Sequence, residues 1–158
     1  MTTMPVDDEL VGAVVEQVWE SLLGSVALAW VGPQPAGGAA PSVCAQVRLS
    51  GDWNGLVRLT CDPATAEALA AAMLMTGPDE ALLEEDVHDA VGEVVNVVGG
   101  NVKGALVGET SLGLPQVALA ALTDDAVPTS RCVLDWRGAP VVVEVFGVDA
   151  PAVPGSRQ

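Results

Sequence analysis

The chain has 158 residues, with 21 Asp and Glu against 6 Lys and Arg and a formal net charge of -15. Such a charge repels nucleic acid and anionic membrane surfaces, leaving proteins with basic patches, cations and small molecules as partners. Disorder at this charge would also require low hydrophobicity; half of the chain is hydrophobic, so its length suits one domain with one core.

Met1 to Leu10 carries Asp7, Asp8 and Glu9 and no basic residue, unlike the positive start of a secretory leader. The longest uncharged stretch, Ser21 to Gln46, is broken by Gly32, Pro33, Pro35, Gly37, Gly38 and Pro41, so it makes no membrane-spanning helix. Cys44, Cys61 and Cys132 lie far apart, and an odd, unclustered set reads as free thiols acting as small apolar filler on strands. A cytoplasmic protein is expected.

Asp7 to Leu23 places Leu10, Val11, Val14, Val15, Val18, Leu22 and Leu23 on one helical stripe, with Gly24 as its stop. Ser25 to Val31 reads as a buried strand, and Gly32 to Pro41 as a loop. Val43 to Leu49 and Leu56 to Cys61 form a hairpin that would set Cys44 opposite Cys61. Asp62-Pro63 starts a helix that runs to about Met75, with an N-cap acid before proline at the first helical position. A long helix is expected from about Glu84 to Val107. Strands follow at Gln116 to Leu122, Thr129 to Trp136 and Val141 to Val148, the last two joined by a turn at Arg137-Gly138. Residues 150–158 read as a disordered tail beyond a single domain, 1–149.

This order suggests a repeat. A shift of 80 residues lays Val11-Gly12-Ala13-Val14-Val15-Glu16 on Val91-Gly92-Glu93-Val94-Val95-Asn96, Val18 on Val98 and Gly24 on Gly104. The expected fold is α+β and pseudo-symmetric. Two helix-plus-three-strand units form an antiparallel sheet packed by helices, with Asp62–Met75 as a connecting helix.

The segment from Asp86 to Leu106 carries the chemistry. At 100° per residue, Val87, Val91, Val94, Val95, Val98 and Val102 fall on one side, and Glu85, Asp89, Glu93, Asn96, Gly100 and Lys103 on the other. Gly92, Gly99 and Gly100 border the polar line. Each glycine costs a helix about 1 kcal/mol against alanine, which suggests close approach of another backbone. The apolar phase continues through Val102, Ala105 and Leu106, so the helix is expected to pass Gly99-Gly100. A polar line alone is also what a solvated face looks like.

The spacing Asp89-x-x-x-Glu93-x-x-Asn96 resembles the signature helix of the CheC/CheX/FliY chemotaxis phosphatases. So do the continuation Gly-Gly-Asn-Val-Lys-Gly and the run Leu112-Gly113-Leu114-Pro115-Gln116-Val117, with a proline leading into the next strand. The resemblance implies an aspartyl-phosphate phosphatase whose substrate is a phosphorylated CheY-like response regulator. Asn96 would orient the attacking water and Glu93 would pair with the regulator's active-site lysine. Asp89, Gly92, Gly99, Gly100 and Lys103 would contact the partner. No cofactor of the chain's own is implied, because Mg²⁺ would be carried by the regulator.

Under the 80-residue shift Ala13 replaces Glu93 and Glu16 replaces Asn96, so one site is expected, as in CheX-type members, and by the same resemblance a homodimer. The alternative is a non-catalytic module that binds the phosphorylated regulator, of the flagellar-switch or signalling type. A metal site would need Glu84, Glu85, Asp86, His88 and Asp89 to converge from around one helical turn, with no second histidine. His88 sits about a quarter turn off the Glu93/Asn96 line. Trp19, Trp30, Trp53 and Trp136 are expected in core or rim packing, with Trp53 the most exposed. Seven of the 21 acids lie between Asp79 and Glu93, where no Lys or Arg occurs, so partner binding should weaken with salt.

Overall fold

The computed structural model describes residues 6–24, 28–33, 42–77, 80–106, 108–118 and 128–147. Its elements run α1 (Asp8–Leu23), β1 (Leu28–Ala29), β2 (Val43–Gly51), β3 (Gly55–Cys61), α2 (Pro63–Leu74), α3 (Glu84–Ala105), β4 (Thr110–Leu112), β5 (Gln116–Ala118), β6 (Ser130–Trp136) and β7 (Ala139–Gly147). The fold is α+β, with helices packed on an antiparallel sheet. The expected tail at 150–158, most of the expected loop at 32–41 and the far half of the strand expected over 116–122 lie outside the described residues.

The helix ends follow their local chemistry. The Asp7 carboxylate accepts from Leu10 N at 2.9 Å, and Gly24 closes α1 in the left-handed region at φ 62°. Asp62 accepts from Thr65 N at 2.7 Å, with Pro63 as the first residue of α2. In α3 the Asp86 carboxylate accepts from Leu83 N at 3.1 Å, and Glu84 and Glu85 join Asp86 at the positive end of the helix dipole. This helix contains four glycines, costing about 1 kcal/mol each. Tertiary packing outweighs them: Val91, Val94, Val95, Val98 and Val102 are fully buried, and each contributes about 1.5 kcal/mol or more.

The sheet order is β1-β6-β7-β3-β2-β4, with β5 also paired to β2, and every pair is antiparallel. With β4 set aside, exchanging β1, β2 and β3 with β5, β6 and β7 reverses the path β1-β6-β7-β3-β2-β5 onto itself. The two units therefore interlock: each one's first strand pairs with the other's second, and β3 meets β7 at the centre. The residues matched by the 80-residue shift have matching environments. Val11, Val14, Val15 and Val18 of α1 are buried, as are Val91, Val94, Val95 and Val98 of α3. The backbone N–H of Arg131 in β6 donates to Asp8 at 2.8 Å, tying the start of α1 to the other unit.

Three expectations need correction. Residues 25–27 of the strand expected over 25–31 lie outside the described residues; of the rest, Leu28–Ala29 form an exposed edge rather than a buried strand, with Leu28 61% exposed, and among the described residues it pairs with β6 alone, while α1 covers β6 and β7. The hairpin register is shifted by one residue, so Val43 faces Cys61 and Cys44 faces Thr60. The cause is an odd loop: Leu49 pairs with Gly55, and the Asn54 side chain bridges Gly51 N at 3.2 Å and Gly51 O at 3.0 Å. Strand β4 was not expected at all; its three residues are too few to show an alternating pattern.

Arg137 (φ 56°) and Gly138 (φ 85°) do form the expected two-residue turn between β6 and β7. Trp19 and Trp136 are in the core, while Trp30 and Trp53 are partly buried.

Candidate functional site

Helix α3 lies over β2, β3, β4 and β5 and is flanked by α1 and α2. With its valines facing inward, its opposite face carries Asp89, Glu93 and Lys103, all exposed, and Asn96 and Gly100, partly buried. Glu93 and Asn96 are three residues apart, about 4.5 Å along the axis, so their side chains are neighbours on one face. Neither has a hydrogen-bond or ion-pair partner among the described residues. Asn101, by contrast, spends its amide on its own helix, donating to Val97 O at 2.8 Å. Glu93 and Asn96 thus present a carboxylate and a carboxamide side by side, with their polar atoms available to an incoming molecule.

The glycines divide by surroundings. Gly92 and Gly99 were expected at the partner surface, but both are buried against the chain's own sheet. A Cβ on Gly92 would lie 3.6 Å from Pro115 Cβ and 3.4 Å from Val117 Cγ2. One on Gly99 would lie 2.6 Å from Val47 Cγ1 and 3.1 Å from Leu112 Cδ1. Their lack of side chains lets the sheet edge close onto the helix beside Asn96.

Gly100 is different: its Cβ would meet only Leu112 Cδ2, at 4.0 Å, and one on Gly104 would meet nothing within 4 Å. These two glycines and Lys103 line an open cleft of about 440 Å³ with Gly108, Glu109 and Thr110. The cleft continues the Glu93–Asn96 face toward the end of α3. Gly104, Glu109 and Thr110 were not singled out from sequence. The available signal was a glycine on the polar face of a helix, which costs stability without a packing reason.

His88 leaves the polar line. It lines a separate depression of about 470 Å³ with Pro63 and Glu67 of α2 and Glu84 of its own helix. Among the described residues no three His, Cys, Asp or Glu side chains group as a metal site. No helix among them is long and apolar enough to cross a membrane.

A family model described as chemotaxis phosphatase CheX matches residues 43–134, more than half of the chain, including all of α3. Among curated proteins none matches in sequence. Solved structures do match in fold. Chemotaxis protein CheX from Desulfovibrio desulfuricans is 23% identical, with a TM-score of 0.66 over 89% of this chain and 97% of that one. CheX from Vibrio vulnificus is 19% identical, with a TM-score of 0.67 over 89% and 95%. The CheX-CheY-BeF3-Mg complex from Borrelia burgdorferi matches at 16% identity with a TM-score of 0.68, over 92% of this chain and 100% of that one.

Proposed function

This chain belongs to the CheX family of chemotaxis phosphatases, and from that membership we propose that it hydrolyses the aspartyl phosphate of a CheY-like response regulator. The observation that carries the reading is the Glu93–Asn96 pair: two polar side chains one turn apart on the exposed face of α3, both without partners among the described residues. The partner class is supported by the Borrelia burgdorferi structure, in which a CheX is held with CheY, beryllofluoride and Mg²⁺.

An acyl phosphate is already reactive, so catalysis here needs positioning more than covalent chemistry. Asn96 offers an acceptor and a donor on one planar amide and so orients a water in line with phosphorus. The water oxygen bonds to phosphorus as the bond from phosphorus to the aspartyl oxygen breaks. Inorganic phosphate and a free carboxylate result, and one water proton passes to solvent. Glu93 pairs with the regulator's active-site lysine and so sets the docking register. Mg²⁺ arrives with the regulator. The reading also carries a homodimer.

The test is the lifetime of a phosphorylated receiver-domain regulator with and without this protein. The expected result is a shortened lifetime, with Asn96→Ala lowering kcat about a hundredfold or more. An acceleration that survives Asn96→Ala would overturn the mechanism. A regulator that binds but keeps its phosphate would make the protein a binding module.

A further inference from the structure

Strands β4 and β5 both pair with β2, but in different registers. Leu112 faces Leu49, while Gln116 faces Gln46. Three residues, Gly113, Leu114 and Pro115, therefore stand opposite two, Val47 and Arg48. This is a β-bulge on the outermost strand, a device that re-aims a side chain. It is pinned at one end by Gly113 N donating to Arg48 O at 2.8 Å.

The bulge changes which residues face the helix. In a regular strand Leu114 would point the same way as Leu112, toward α3. Instead Leu112 packs at Gly99, and Pro115 and Val117 pack at Gly92. Leu114 is left outside, 88% exposed. The other large hydrophobics exposed among the described residues, Leu28, Val31, Leu74, Met75 and Leu83, lie on the short edge strand β1, two residues beyond it, or at helix ends. Leu114 stands elsewhere: its segment runs along α3 from the level of Gly99 to the level of Gly92, which spans Asn96. On the helix surface Asn96 is about 40° around from Gly92 and about 60° from Gly99, on the side where the bulge lies. Proline at 115 holds Leu114 extended, and the packed residues on both sides fix the segment.

We propose that Leu114 is the apolar anchor that seats the docked regulator against Asn96, the regulator covering it with apolar surface of its own. The inference rests on the regulator being the partner of this site. It assigns Leu114 a positioning role: the residue holds the partner in register and touches no reacting atom.

Leu114→Ala and Leu114→Met should both fold, since the side chain packs on little within the chain, and unchanged thermal unfolding checks this. Steady-state hydrolysis and binding to a regulator charged with beryllofluoride and Mg²⁺ are then compared. For Leu114→Ala, KM and Kd should both rise about tenfold or more, with kcat within about twofold of wild type. Leu114→Met should stay near wild type. KM and Kd unchanged in Leu114→Ala, with the wild type active, would overturn the anchor and leave the phosphatase standing. Wild-type protein that binds without hydrolysis, its binding lost in Leu114→Ala, would support the anchor and overturn the phosphatase. Wild-type protein that binds no regulator would overturn both.

Discussion

Val47 of β2 occupies the space that a side chain on Gly99 would need: a Cβ there would stand 2.6 Å from Val47 Cγ1. The helix and the sheet have closed to the limit that glycine allows. Gly99→Ala should therefore destabilise the protein by about 1–3 kcal/mol in denaturant unfolding, although alanine is the better helix former.

The reverse sign is expected at Gly12, the counterpart of Gly92 in α1, where an added Cβ would meet nothing within 4 Å. Gly12→Ala should raise the unfolding free energy by about 0.5–1 kcal/mol. A loss of stability there would mean that the helix face around Gly12 is packed more tightly than this geometry gives.

Asp52, in the β2–β3 turn, clamps the segment that links α3 to β4. Its carboxylate accepts from Glu109 N at 2.8 Å, and its own N–H donates to Glu109 O at 2.9 Å. Asp52→Ala keeps the backbone bond and removes the other, for an expected cost of about 1 kcal/mol by chemical denaturation. Because the same segment lines the cleft beside Lys103, this variant should also raise KM for the regulator.

Burial, followed by the Asp62 carboxylate and then Cys44, pushes the Cys61 thiol from an ordinary 9.0 up to about 12. Burial, with Glu16 and Asp8 behind it, also raises Cys132. Above pH 9 the unfolded chain loses these protons while the folded protein keeps them, so stability should fall as pH climbs from about 9 toward 12. The slope is at most about 1.4 kcal/mol per pH unit for each thiol. The chain has no tyrosine and one lysine to compete with this signal. Cys61→Ala should flatten the slope, and the native thiols should resist alkylation until the protein is denatured. A slope unchanged in Cys61→Ala would place the titration elsewhere.

Asp89 and Glu93 lie exposed on the proposed docking face, behind a first helical turn that carries Glu84, Glu85 and Asp86. A tenfold rise in salt shortens the Debye length about threefold, so regulator affinity should drop severalfold across that range. The drop should be smaller in Glu93→Gln. An affinity independent of salt would mean that apolar contact alone holds the partner.

What the sequence determined by itself was whatever short-range chemistry writes. Asp7 and Asp62 cap helices, Gly24 ends one, Arg137-Gly138 turns a hairpin, and the valine stripe of α3 implies the polar face on which Glu93 and Asn96 stand. All of these depend on residues within a turn or two of one another. The tertiary structure decided what depends on partners far along the chain. The polar periodicity of α3 could not show that Gly92 and Gly99 face inward while Gly100 and Gly104 face out, because a glycine has no side chain to mark its face. The register of β2 against β3, one residue away from the expected pairing, turns on how Asn54 closes the loop. Strand β4 is too short to carry a period, and the places of β1, β4 and β5 in the sheet came from pairing with β6 and β2 across the interlocked halves. The bulge at Gly113–Pro115 exists only as a mismatch between two long-range registers. Nothing local in the sequence marks Leu114, and only the folded sheet turns it out to solvent.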